Sequence, residues 1–268
     1  MYKVSLSPIV IFIVSFTIVI ALYIFMMRHA AHTVIEEAAT LYSKGENAQT
    51  VFERQKYFNQ ALQLYQDIEN KYDPRYTNGK LYYNIGNTFY QLNQYPFAIL
   101  YYLKATKLNG DTRIQENLST ARVKAGVEAP KNHGGFIDAF SLSNVFSLPT
   151  RLQIFSFTAL MGFALFSITI WRYMPPVRIV SCLFFALAAF MLLGLLTEVF
   201  WGRESAVLVN GENLRKGASM EFASVLEDPL SPGSVVDVVG EEKGGEWLKV
   251  ILNGDKIGYL PAKSLRKI

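Results

Sequence analysis

Three histidines, His29, His32 and His133, and one cysteine, Cys182, are the side chains in this 268-residue chain best suited to metal ligation, proton transfer or nucleophilic attack. His29 and His32 stand three residues apart, a helical spacing that could share a metal ion. They also border an apolar run, where solvation at an interface is the competing use. None of the histidines falls in a recognised metal-ligand or triad pattern, and the chain has no phosphate loop and no nucleophile elbow. Cys182 sits inside another apolar run, without the base or the water that a reactive thiol needs. A lone cysteine also forms no intrachain disulfide, so it leaves the redox compartment open. Glu198 is the one acid within an apolar run, near enough to its end to reach an interface; a proton relay is the alternative. The sequence therefore predicts no catalytic residue, no metal site and no cofactor. It reads as a non-enzymatic chain.

The elements around these residues are dominated by three apolar runs. Pro8 to Met27 is 20 residues without a charge, enough to cross a hydrocarbon layer of roughly 30 Å as a helix. A cleaved signal peptide competes with an anchor here. The flank Met26-Met27-Arg28-His29-Ala30-Ala31 puts Arg28 or His29 at the −3 position for either alanine, which favours the uncleaved anchor. The second run is Leu152 to Ile170 and the third is Ile179 to Phe200, with Trp171, Arg172, Tyr173, Trp201 and Arg203 at their ends. Such aromatic and cationic flanks suit a membrane interface. Met174-Pro175-Pro176 breaks the helix between them and forces a hairpin. A soluble-core hairpin would need amphipathic faces, and these runs are apolar all round.

Arg172 and Arg178 flank the hairpin turn without an acid between them, so that loop is expected in the cytoplasm. With three spans the N-terminus is then cytoplasmic, and segments 28–150 and 201–268 both lie outside the inner membrane, on the periplasmic side of a bacterial cell. The composition fits: 51% of residues are hydrophobic, and the net charge of +4 is not spread over the soluble parts. Residues 34–128 hold 11 basic and 10 acidic side chains, and 203–268 hold 9 and 10. The excess cations, Lys3, Arg28, Lys131, Arg151, Arg172 and Arg178, mostly flank apolar runs. A basic face for nucleic acid is not there.

From Thr33 to Gly126 the pattern is helical, and it contains a repeat. With Gly86 at repeat position 8, Tyr82, Ile85, Gly86, Phe89, Ala98, Tyr102 and Ala105 fill the seven defining places of a tetratricopeptide unit. Small residues let two antiparallel helices approach, and large ones fill the gaps around them. The preceding unit is looser. Ala61 and Tyr65 fit its second helix, Ala39 and Tyr42 its first, with about ten residues inserted within Glu46–Lys56. Asp111 is placed to cap a last helix through Ile114, Leu118 and Ala121 that closes the array. Packing leaves Lys80, Tyr83, Asn84, Asn87, Tyr90 and Gln91 as a polar and aromatic groove face, either a partner site or a solvated surface. A carboxylate clamp is not expected, because Ile114 and Leu118 occupy the places of its further basic residues.

Beyond Glu204 the period changes to two. Ser234–Val239, Trp247–Leu252 and Ile257–Leu260 read as strands, with Asn253-Gly254-Asp255 as a hairpin turn. Four or five such strands suggest a small SH3-like barrel. The segment resembles bacterial SH3 domains in Arg215-Lys216-Gly217-Ala218-Ser219, Pro232-Gly233, the Trp247-to-Val250 strand and Gly258-Tyr259, with Ala218 in place of the usual proline. Phe222, Trp247 and Tyr259 are a candidate ligand groove, unless one of them fills the core.

The expected architecture is a multidomain membrane protein: an N-terminal anchor or signal sequence (1–32), a tetratricopeptide-type helical domain (33–130), a linker (131–150), a transmembrane hairpin (151–202) and an SH3-like barrel (203–268). That order resembles the BatE-like family of the bacterial aerotolerance (Bat) group. The sharpest local matches are Tyr82-Tyr83-Asn84-Ile85-Gly86-Asn87, Ala98-Ile99-Leu100-Tyr101-Tyr102 and Glu116-Asn117-Leu118. The resemblance implies partners in the cell envelope, including membrane proteins with von Willebrand A domains, and no catalysis. Two functions stand: a scaffold that displays two protein-binding modules, or a peptidoglycan-binding protein acting through the barrel.

Overall fold

The computed structural model describes residues 32–72, 78–130, 146–171, 174–201 and 204–268, with two isolated helical positions at 15 and 19. The remainder of the first apolar run, His29, His133, Arg172 and most of the 131–150 linker lie outside the described residues. The chain divides into two compact units, Met1–Thr77 and Asn78–Ile268.

In the first unit, helix α1 (32–46) turns through 47–50 into α2 (Val51–Tyr72). The turn is fixed by a capping box. The Glu53 N–H donates to Thr50 Oγ1 (3.1 Å), whose hydroxyl donates back to the Glu53 carboxylate (3.0 Å). Ala61 and Tyr65 are buried, as their repeat positions require. The small residue on α1 differs from expectation: Ala38 is fully buried while Ala39 is exposed. Gly45 makes the second close approach, since a Cβ there would stand 2.8 Å from the Phe58 ring. The extra residues expected as an insertion within Glu46–Lys56 form no loop. They lengthen the two helices, because α1 runs to 46 and α2 already starts at Val51.

The second unit begins with α3 (Gly79–Gln91), α4 (Tyr95–Leu108) and α5 (Thr112–Ala125). Each start has a local cause. The Asn78 side chain accepts from the Leu81 N–H, Pro96 sits in the first turn of α4, and Asp111 accepts from the Arg113 N–H. Gly126, at φ 67°, ends α5 in the left-handed region where glycine carries no steric penalty. Where the repeat demands a small residue, a Cβ on Gly86 would meet the Tyr102 ring at 2.7 Å.

α4 is buried around most of its circumference, including Ala98, Ile99, Leu100, Tyr101 and Tyr102. It packs on α3 and α5, and also on β1 of the C-terminal sheet. The sheet is antiparallel and five-stranded: β1 (Glu204–Leu208), β2 (Val235–Glu242), β3 (Trp247–Leu252), β4 (Lys256–Pro261) and β5 (Leu265–Lys267), in the order β4-β3-β2-β1-β5. Its core joins Ala206, Leu208, Leu214, Val236, Leu248, Val250 and Leu260. Val207 and Val209 point to the opposite face and are buried as well, which is what a strand with a second packing surface requires. The glycine two residues before β2 belongs to this contact: a Cβ on Gly233 would stand 2.9 Å from Ile99 Cδ1.

A closed barrel is not what forms. β4 and β5 stand at the two edges of the sheet without pairing. The β4 edge is covered instead by the preceding loop, with Arg215 and Tyr259 exchanging backbone hydrogen bonds of 3.0 and 2.8 Å. Gly258 permits this approach, because a Cβ there would collide with Leu214 at 2.5 Å. The hairpin expected at Asn253-Gly254-Asp255 joins β3 to β4, with Asn253 and Gly254 both at positive φ.

Between α5 and β1 run α6 (Leu148–Trp171) and α7 (Pro175–Trp201), packed against each other. Pro175 and Pro176 open α7, where their missing N–H groups are no loss. The contact is close at Gly162, whose carbonyl accepts from the buried Ser181 hydroxyl (2.9 Å), and Phe163 meets Phe185 edge-on at 5.0 Å. Both helices are long and apolar enough to cross a membrane, and their outer faces carry exposed Phe157, Leu160, Ile179 and Leu183.

Candidate functional site

α3 presents its six groove residues along one stripe. Lys80 and Gln91 are exposed, and Tyr83, Asn84, Asn87 and Tyr90 are half-buried. They are not equivalent. Asn87 Oδ1 accepts from the Tyr102 hydroxyl of α4 (2.7 Å) and from Asn117 Nδ2 of α5 (3.0 Å). Asn117 Nδ2 donates also to Tyr83 Oη (3.0 Å). Two of the six therefore tie the three helices together, which fixes the stripe's shape. Tyr90 stacks edge-on with Tyr95 (5.5 Å). Lys80 is exposed and Asn84 half-buried, and neither side chain forms a hydrogen bond or ion pair among the described residues.

Asn117 is the site residue that sequence reasoning missed. A signal existed: it lies 34 residues after Tyr83, one repeat length, and so takes the equivalent place on the next helix. Ile114 and Leu118 are buried, so the basic residues of a carboxylate clamp are indeed replaced by core. Arg113 beside them is held by Asp111. That hydrogen-bonded ion pair keeps the Asp111 carboxyl below the usual range and raises the Arg113 guanidinium. On the same helix burial pulls the Arg122 guanidinium down. The stripe offers hydrogen-bonding amides, phenols and one ammonium. Such groups can hydrogen-bond to a polypeptide.

The sheet does not assemble its three aromatics in the same way. Phe222 is half-exposed, its ring against Gly217, in a loop that Arg215 braces by donating to the Met220 and Phe222 carbonyls (2.7 and 2.9 Å). Tyr259 is half-buried and donates to Glu242 at 3.4 Å. Trp247 is only 7% exposed and offers no ring face to a ligand. Trp247 and Tyr259 do share a sheet face through the pairs Trp247–Pro261 and Lys249–Tyr259. At the start of β1, Lys267 bridges Glu204 (2.9 Å) and Glu241 (3.2 Å), which raises its ammonium, Glu204 contributing most.

Of the residues first considered for chemistry, His32 lies 3.3 Å from Glu36 on the exposed face of α1. Cys182 is exposed on α7. Among the described residues no group of three or more His, Cys, Asp or Glu could hold a metal ion.

Residues 79–111 match the family model of the tetratricopeptide repeat. No curated protein and no solved structure gives a significant match. The chain thus carries a tetratricopeptide repeat, a protein–protein interaction module, beside an antiparallel sheet and two long apolar helices.

Proposed function

We propose that this protein is a membrane-anchored scaffold of the bacterial cell envelope that binds protein partners along the α3 stripe. The observation that carries the reading is the placement of the sheet on α4. The back of the repeat is occupied from within the chain, while the stripe from Lys80 to Gln91 stays open. The same contact supports a common compartment for residues 78–130 and 204–268, since β1 must reach α4 and the Lys107 ammonium donates to the Ile268 carbonyl (3.1 Å). An even number of crossings by α6 and α7 satisfies that demand. A first span before residue 32 and a cytoplasmic Arg172–Arg178 turn then put both modules on the periplasmic side of the inner membrane.

The domain order, including an SH3-like reading of the sheet, resembles the BatE-like family. On that resemblance the partners are envelope proteins with von Willebrand A domains and the process is aerotolerance. A photo-crosslinker at Asn84 in native membranes is expected to capture one envelope protein, and Lys80→Glu to abolish capture. Capture of no protein by the Asn84 probe would remove the scaffold reading.

Exposed Phe222 near the β4 edge favours a second reading, peptidoglycan binding through the sheet. Retention of the full chain on purified peptidoglycan, lost in Phe222→Ser, would replace the first reading with this one.

A further inference from the structure

A cleft of about 580 Å³ opens where the helical module meets the sheet, away from the α3 stripe. One wall is the extended chain Gly126–Pro130 that follows α5. The other is the loop from Val225 to Ser231 with the start of β2 and the β3–β4 turn. The volume lies within the roughly 300–1,000 Å³ range of ligand pockets. Half-buried Leu226, Val235 and Leu252 supply apolar lining. The charged side chains along it are Glu128, Glu227 and Asp228 against the single cation Lys256, all four exposed.

We propose that this cleft binds an extended polypeptide segment in which apolar side chains alternate with lysine or arginine. Three features select that occupant. An extended segment turns alternate side chains to opposite sides, so one set meets the apolar lining while the other reaches the carboxylates. Neither Glu128 nor Ala129 on one wall, nor Glu227 nor Asp228 on the other, forms a backbone–backbone hydrogen bond among the described residues. Main-chain groups are thus available on both sides for strand-like pairing. The charge balance rejects an anionic ligand, and the carboxylates are not grouped with further ligands as a metal ion requires.

The walls belong to two modules that meet at Gly233, whose Cβ position is within 3.4 Å of Ala125 and Val127. A segment touching both walls binds only when the sheet is docked, so occupancy and docking reinforce each other. The cleft is therefore a second interaction site, independent of the α3 stripe.

The test uses the full chain in nanodiscs of zwitterionic lipid and a fluorescein-labelled hexapeptide alternating leucine and lysine. Binding is expected, weakening about tenfold or more when Glu128→Gln, Glu227→Gln and Asp228→Asn are combined. Lys256→Glu, an exposed site that tolerates the change, is expected to tighten binding about threefold. Asn84→Ala should leave the affinity unchanged, which separates this site from the α3 stripe. Equal binding of a leucine–glutamate hexapeptide, or an affinity unmoved by the substitutions on the cleft, overturns the proposal.

Discussion

Helix α4 and the α6–α7 pair are both apolar around most of their circumference, yet they end in opposite surroundings. Ile99 on α4 is 0% exposed and Leu100 is 3% exposed, whereas Leu160 on α6 is 69% exposed. A helix apolar around most of its circumference has little face to give to water, so something must cover most sides. Length decides what can. At 1.5 Å per residue the 14 residues of α4 span about 21 Å, too short for a hydrocarbon layer of roughly 30 Å. The 24 residues of α6 and 27 of α7 span about 36 and 40 Å. Protein therefore covers α4, with the repeat on one side and β1 on the other. On α6 and α7 the outward residues stay uncovered by the described residues, over a length that would cross a hydrocarbon layer.

The sharpest way to break this comparison is to put a carboxylate on each helix. Ile99→Asp buries an unpaired charge between the repeat and the sheet and is expected to cost at least about 4 kcal/mol. Thermal unfolding and limited proteolysis should show the repeat and the sheet released together. If the sheet alone loosens while residues 79–111 stay protected, α4 does not depend on its second packing face. Leu160→Asp is the counterpart. In lipid the substitution opposes insertion by about 2.5–3.5 kcal/mol, whereas at a water-facing position it would stay within about 0.5 kcal/mol. A glycosylation-mapping insertion assay that finds no loss would return α6 to a soluble setting.

A smaller effect sharpens the account of how the repeat closes. Gly86→Val forces side-chain atoms into the Tyr102 ring and should cost about 1–3 kcal/mol, read from chemical denaturation. Gly110, in the turn before α5, has nothing within 4 Å of a Cβ, so Gly110→Ala should be near neutral. Equal losses at the two sites would mean that the Gly86 contact does not carry the helix pairing.

The contrast between these elements also explains what could be read in advance. Repeat spacing is local, and it gave the register of α3 and α4 through Gly86, Ala98 and Tyr102. The second face of α4 was written in the unbroken run from Ala98 to Leu103, but an apolar run does not say which distant strand covers it. β1 lies about a hundred residues later, beyond the apolar hairpin. The strands and the Asn253-Gly254 turn were legible from period and turn chemistry, whereas the open edge depends on Arg215 pairing with Tyr259, a tertiary fact. Asn117 was missed for the opposite reason. Its signal is periodic, but Asp111 and the apolar spacing of α5 point first to a closing cap helix.

The start of α5 is the other extreme from α4, a polar pair in water rather than an apolar helix in protein, and it carries the smallest effect. The Asp111 carboxylate caps the helix and pairs with Arg113, which holds its pKa below the ordinary 3.8. A group whose folded pKa is depressed stabilises the fold at pH values above its unfolded pKa. That contribution is intact at neutral pH and is lost as pH falls below about 3.8 and through the lower folded value. Asp111→Asn keeps a capping oxygen but removes the charge. The variant should therefore unfold at slightly lower denaturant than the parent at pH 7, with the gap closing as pH drops toward 3. Arg113 is exposed and Asp111 is in part open to solvent, so added salt should shrink the same gap. A difference that persists at acid pH or high salt would mean that Asp111 acts through its shape in the cap, and that its ionic partner contributes nothing.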